Sequence, residues 1–223
     1  MATEYLSPPK MANGVSISFL EPKHVASLDR LLARSLDSTI RENLGDRTVQ
    51  KIEGRLFERY GISLTQSIEQ FQILDAVLRE FFGAGAIGLE QRFLRAVCDV
   101  QATNGDTWVR IENPELTKMI LESFGDDDKK KILGSLNDEP MLISQIIETC
   151  NIPQTSGYRK INALIDGGLL VPVGHTITPD GKKVTKYKSI FDNIKIDIVK
   201  NKVTVAIQLK KGLGSSTILT VCA

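Results

Sequence analysis

The break Asn151-Ile152-Pro153 between two short apolar-patterned stretches constrains this chain more than any other feature. Ile143, Ile146 and Ile147 recur at helical spacing before the break, and Ile161, Leu164 and Ile165 recur after it. Proline has no N–H and restricts the residue before it, so the spacing predicts one helix over Ile143 to Cys150 and a second over about Gln154 to Asp166. Gly167-Gly168 ends the second helix. Leu169 to Val173 then reads as an apolar strand, Asp180-Gly181 as a tight turn, and Val184 to Ser189 as the returning strand. Upstream, Asp126, Asp127 and Asp128 suit the positive end of a helix whose inner face carries Ile132, Leu133 and Leu136, and Asn137 to Pro140 turn the chain. The order is a helix-turn-helix followed by a β-hairpin wing.

The rest of the chain has a different grammar. Residues 1 to 14, with Pro8 and Pro9, read as a disordered lead-in, and Val15 to Phe19 is too short to assign. Residues 15 to 100 then carry four helical stripes: Leu28, Leu31, Leu32, Leu36 and Ile40; Val49, Ile52, Leu56, Phe57 and Tyr60; Leu64, Ile68, Phe71, Leu74, Leu78 and Phe81; and Ile87, Leu89, Phe93, Leu94 and Val97. Gly45 and Gly61 stop the first two, Asp46 is the expected N-cap of the second, and the third is expected to run unbroken from about Ser63 to Phe82. This is a helical bundle domain. Residues 101 to 125 read as a connector, with a turn at Asn104-Gly105, a short extended piece and a helix from Pro114 to Phe124. The helix-turn-helix and wing occupy 126 to 190. From 191 to 210 the alternation of Ile194, Ile196 and Ile198 with Val203, Val205, Ile207 and Leu209 around Lys200-Asn201-Lys202 predicts a β-hairpin with one apolar face, and 211 to 223 a flexible tail. The expected fold class is mainly α with a small β part.

Composition excludes several classes. Of 223 residues, 42% are hydrophobic and 25% charged, which is ordinary globular usage. Cys98, Cys150 and Cys222 make no even disulfide framework, and His24 and His175 lie too far apart to suggest a zinc site. No apolar run is long enough to span a membrane and no signal-peptide core precedes the bundle, so the expectation is a soluble, cytoplasmic protein. The net charge of +1 hides an asymmetry: residues 1 to 125 hold 14 basic and 17 acidic side chains, residues 126 to 223 hold 14 and 10. A basic block of this kind is the footprint expected of one region that touches polyanions.

The run KKILGSLNDEPMLISQIIETCNIPQTSGYRKINALIDGGLLVPVG, followed by GKKVTKYKS, resembles the archaeal ArsR-like winged helix-turn-helix transcription regulators over about residues 128 to 210. NIPQTSGYRKINALIDGGLL carries the turn, recognition helix and exit of that family, and KKVTKYKS its wing strand. Gly157 departs from the pattern, standing where members place a β-branched or larger residue. The bundle resembles helical domains attached to such winged helices and implies no activity. The resemblance implies a transcription regulator that binds double-stranded DNA.

Docking geometry points to the same residues. A recognition helix presents its first turns to base edges in the major groove, which selects Thr155, Ser156, Tyr158, Arg159 and Lys160. The wing adds Lys182 and Lys183 at its tip, with Lys186 and Lys188 on one face of the returning strand. The alternative is a protein-interaction module within the transcription machinery that uses the same fold without reading DNA. A homodimer is expected, because such regulators usually read paired half-sites and because the apolar face of the last hairpin needs a cover. The bundle is expected to sense a small-molecule effector, dimerise or recruit a transcription-machinery protein.

Other apparent motifs carry less. Gly83-Ala84-Gly85-Ala86-Ile87-Gly88 matches G-x-G-x-x-G but follows a helix rather than a strand, and reads as a joint between helices. Asp126 to Asp128 read as a helix cap rather than a cation site, and Cys98 and Cys150 as inert buried thiols. No triad, carboxylate pair or phosphate loop stands out, so neither an enzyme, a cofactor nor a metal is expected.

Overall fold

The computed structural model of the chain describes residues 27–103, 106–137, 139–210 and Ile218. The expected lead-in over 1 to 14, Val15 to Phe19, His24, the Asn104-Gly105 turn and Cys222 lie outside the described residues. Of the expected flexible tail, Ile218 alone is described, and it is buried.

The fold is mainly helical with a smaller β part in two antiparallel sheets. Five helices come first: α1 (Ser27–Leu44), α2 (Asp46–Tyr60), α3 (Leu64–Glu69), α4 (Phe71–Phe82) and α5 (Ala86–Val97). A hairpin of β1 (Cys98–Thr103) and β2 (Asp106–Ile111) follows, then α6 (Pro114–Gly125) and α7 (Asp127–Ser135). The two-residue β3 (Met141–Leu142) precedes α8 (Ile143–Thr149), α9 (Gln154–Asp166), β4 (Leu170–Ile177) and β5 (Lys183–Ser189). The hairpin β6 (Phe191–Val199) and β7 (Lys202–Leu209) closes the order. Among the described residues no helix is long and apolar enough to cross a membrane.

Local chemistry accounts for the helix ends. Gly61 ends α2 in the left-handed conformation that glycine adopts without cost, its N–H donating to Phe57 O. Gly45, not Asp46, is the N-cap of α2, and Asp46 is its first residue. The predicted third helix is two helices. Ser63 and Gln66 form a capping box that starts α3, and the chain turns at Gln70, whose N–H donates to Ser67 O before α4 begins. That break lets Leu64 and Ile68 share the core with Phe71, Leu74, Val77 and Leu78.

Three residues assigned to inward stripes face solvent instead: Phe57, Phe81 and Ile87. Phe57 and Ile87 follow directly on the buried Leu56 and Ala86, and Phe81 directly precedes Phe82, which packs against the core. Leu56 completes the stripe Val49–Ile52–Leu56, and one step on turns Phe57 about 100° away from it.

The connector forms more structure than expected. β1 begins at Cys98, straight out of α5, and β2 pairs on its other edge with β7 through Trp108↔Gln208, Val109↔Ile207, Arg110↔Ala206 and Ile111↔Val205. The sheet order is therefore β1-β2-β7-β6, joining a hairpin that follows the bundle to the last hairpin described. Val109, Ile111, Val205 and Ile207 are buried in the core that all the helices share. The apolar face of the last hairpin is thus covered in part by the chain itself. Lys210, at the end of β7, is buried, and its Nζ donates to Leu136 O at 3.0 Å and Asn137 O at 2.5 Å, satisfying carbonyls left free at the end of α7.

A close backbone-to-backbone contact lies between α1 and the turn after α9. Gly168 has φ +74°, and a Cβ placed on it would lie 2.7 Å from Leu31 Cα and 2.8 Å from Leu31 N. Backbone against backbone leaves nothing flexible to move aside. Gly168→Ala is expected to lower the denaturation free energy by about 2–4 kcal/mol, from the positive φ together with the clash. Gly54→Ala, in the interior of α2 with nothing within 4 Å, should raise it by about 0.5–1 kcal/mol. Chemical denaturation of both variants checks the pair; equal, harmless effects would mean that α1 does not approach the turn this closely.

Candidate nucleic-acid interface

The helices α8 and α9 meet at the predicted break, and the residues there explain why. Asn151 takes the left-handed conformation (φ 51°), which asparagine tolerates, and its N–H donates to Glu148 O at 3.1 Å. Ile152 N–H returns to Ile147 O at 3.2 Å and its side chain is buried, while Pro153 supplies the fixed φ that opens α9. Gly157 is buried against Ile147, with a would-be Cβ only 2.7 Å from Ile147 Cγ1. Gly157 is thus the point at which α9 crosses α8 closely.

α9 divides into two faces. Gly157, Ile161 and Leu164 are buried, whereas Thr155, Tyr158 and Arg159, interleaved with them at the start of the helix, are exposed on the other side, with Tyr158 40% exposed. Ser156 is half-buried. Lys160 is committed elsewhere. Its Nζ lies 2.7 Å and 2.8 Å from the two Asp126 carboxylate oxygens and 2.9 Å from Asp128 Oδ2. Asp126 is also the N-cap of α7, accepting from Asp128 N and Lys129 N, each at 3.0 Å. The Lys160 ammonium and then the Lys129 N–H hold the Asp126 carboxyl below the usual carboxylate range, and Asp126 followed by Asp128 raises Lys160 above the usual lysine range. The aspartate run is thus a cap, as its chemistry predicts, and also the clamp that ties α7 to α9. Its partner 34 residues on carries no local signal.

The small sheet has the order β3-β5-β4, which puts β5 in the middle. Its turn is built from Thr178 to Lys182: Gly181 at φ +82° donates to Thr178 O, and Thr178 N–H to Lys182 O. The Thr178 hydroxyl and then Lys182, whose Nζ lies 3.0 Å from Asp180 Oδ2, hold the Asp180 carboxyl below its ordinary range. Lys182 and Lys183 are exposed at this tip. Lys186 and Lys188 are half-buried, opposite Gly174 and Val171 of β4, and share one face of β5; Lys183 falls on the other by the period of two. His175 faces the Thr185 hydroxyl at 3.2 Å.

Gly83–Gly85 is a single 3-10 turn between α4 and α5, with Gly83 at φ +55°. Cys98 is buried and Cys150 half-buried. Among the described residues no group of three or more His, Cys, Asp or Glu side chains converges as a metal site would require. Compared with known proteins, the chain matches no family model, no curated protein and no solved structure.

One titratable group escaped the sequence reading. Glu90 on α5 is 2% exposed, its Oε1 has no hydrogen-bond partner, and it faces Asp75 of α4, itself paired with Arg79 at 2.6 Å. Burial, and next the hydrogen bond with Asp75, raise Glu90 from 4.5 to about 7. Glu90 falls on the buried stripe with Ala86, Phe93, Leu94 and Val97, at three, four and seven residues before the last three, so its spacing is the signal that could have found it. With the folded value above the unfolded one, the native state keeps a proton that the unfolded chain loses, so stability is full below about pH 4.5 and declines as pH rises to about 7. Glu90→Gln is expected to remove a decline of about 1–3 kcal/mol across that window, read as the difference between the two proteins' stability curves. Parallel curves would show that Glu90 is ionised in the folded protein.

Proposed function

We propose that residues 126–189 form a winged helix-turn-helix and that the chain is a transcription regulator binding double-stranded DNA, with α9 as recognition helix and the β4–β5 turn as wing. The observation that carries this reading is the exposed row Thr155, Tyr158 and Arg159 at the start of α9, in a chain whose element order runs α7, β3, α8, turn, α9, β4, β5. Arg159 is suited to bidentate contact with guanine, and Tyr158 and Thr155 to apolar or hydroxyl contacts beside it. No side chain caps the N–H groups opening α9, so they remain available to a phosphate, where the helix dipole favours negative charge. Lys182, Lys183, Lys186 and Lys188 suit the backbone. Lys160 contributes by bracing α9 against α7, because its charge is already offset by two carboxylates. Positions 27 to 97 serve as the sensing or recruiting part of this reading.

A second reading, a module that docks a transcription-machinery protein, is favoured by the exposure of Ile177 beside the wing (74%) and of Tyr158 on α9 (40%), which suit an apolar partner surface. The two differ in their response to salt. If Arg159, Lys182, Lys183, Lys186 and Lys188 each neutralise a phosphate, log affinity for duplex falls with log salt at a slope of about −4 to −5, and Arg159→Ala removes about one unit. Fluorescence anisotropy of duplex with the full chain over a salt series measures both. Absence of duplex binding at low salt would leave the protein-docking module.

A further inference from the structure

The four-stranded sheet ends on β6, whose outer edge pairs with no strand among the described residues. Such an edge presents a row of free N–H and C=O groups, a template for another strand. β6 also keeps apolar side chains there: Ile196, Ile198 and Val199 are 39%, 70% and 64% exposed. Its pairing with β7 is regular from Ile194 to Val199 and closes at Val199↔Lys202 around Lys200 and Asn201, both at positive φ (48° and 61°). In a two-residue hairpin of this kind the closing pair exchanges both its backbone hydrogen bonds, so alternation turns the N–H and C=O of Ile194, Ile196 and Ile198 towards the free edge.

We propose that β6 pairs antiparallel with β6 of a second copy of this chain, about a two-fold axis at Ile196, making one continuous eight-stranded sheet. The segment Asp192-Asn193-Ile194-Lys195-Ile196-Asp197-Ile198-Val199-Lys200 is self-complementary in charge when laid against itself in reverse. In this register Lys195 stands opposite the partner's Asp197, Asp197 opposite the partner's Lys195, and Ile194 opposite the partner's Ile198, with Asp192 carried towards the partner's Lys200. Opposite charges directly across a sheet stabilise the pairing and like charges oppose it. The other registers that satisfy the backbone fail that test. Centring on Lys195 or Asp197 sets like charges face to face, and centring on Ile194 or Ile198 sets Ile196 against the partner's Asp192 or the partner's Lys200. Ile194, Ile196 and Ile198 share the sheet face of the buried Ile207 and Val205, opposite which Ile194 and Ile196 stand, so association extends an existing core face rather than creating a new one. The interface is isologous, as closed two-fold symmetry demands. It stands independently of the DNA reading.

Sedimentation velocity on the full chain, with circular dichroism to verify folding, tests the register. The wild-type chain is expected to be a dimer at micromolar concentration. Lys195→Asp and Asp197→Lys each set two like-charge pairs across the axis and should weaken dimerisation about tenfold or more. The double reversal, Lys195→Asp with Asp197→Lys, restores opposite charges and should restore the dimer. A monomeric wild-type chain overturns the proposal, as does a dimer indifferent to the single reversals or one that the double reversal fails to recover.

Discussion

The ladder between β2 and β7 is the constraint on which the rest of this structure depends. Its four pairs join residues 94 to 100 positions apart in the sequence. Closing a loop of that length costs about 4 kcal/mol in chain entropy. Burying Val109, Ile111, Val205 and Ile207 against the shared core returns about 1.5–3 kcal/mol for each side chain, so the burial outweighs the closure. Once that ladder exists, the segment between its strands is held at both ends. The helices α6 to α9 and the small sheet are a long insertion between two strands of one sheet.

Two further contacts set the orientation of that insertion. Gly168 lets the turn after α9 lie directly on the backbone of α1, and Lys210, one residue past β7, reaches the carbonyls at the end of α7. Both act at the margins of the helices that carry Arg159 and Asp126. The candidate interface is therefore positioned by the bundle and the large sheet as well as by its own core. Cutting the chain at residue 126 would remove β2 from the edge of β7 and α1 from Gly168, so a test of the proposed binding uses the full chain.

Much of the interface was legible because its signals are local. Pro153 and Asn151 mark one helix boundary, Gly167-Gly168 another, and Asp180-Gly181 the turn of the hairpin; each acts through its own backbone preferences, and the observed elements begin and end within a few residues of those marks. What the sequence concealed acts at a distance. Lys160 looks like a helix-surface cation until Asp126 is brought beside it from 34 residues away. Cys98 to Gln101 lack a strong strand pattern and become a strand because Ile111, Arg110, Val109 and Trp108 pair with them. Phe57 and Phe81 were misplaced because an apolar residue next to a stripe is not on it, and Gln70 because a capping box at Ser63 says where a helix starts but not how far it runs.

The central claim is that the start of α9 and the β4–β5 turn together form the surface that meets duplex DNA. Amide hydrogen exchange of the full chain, with and without saturating duplex, tests it most directly because it reports where the ligand lies whatever its sequence. The account predicts added protection in residues 154–160 and 178–188, with α2 and α4 unchanged. Protection confined to the bundle, or none on either of those two segments, would contradict it.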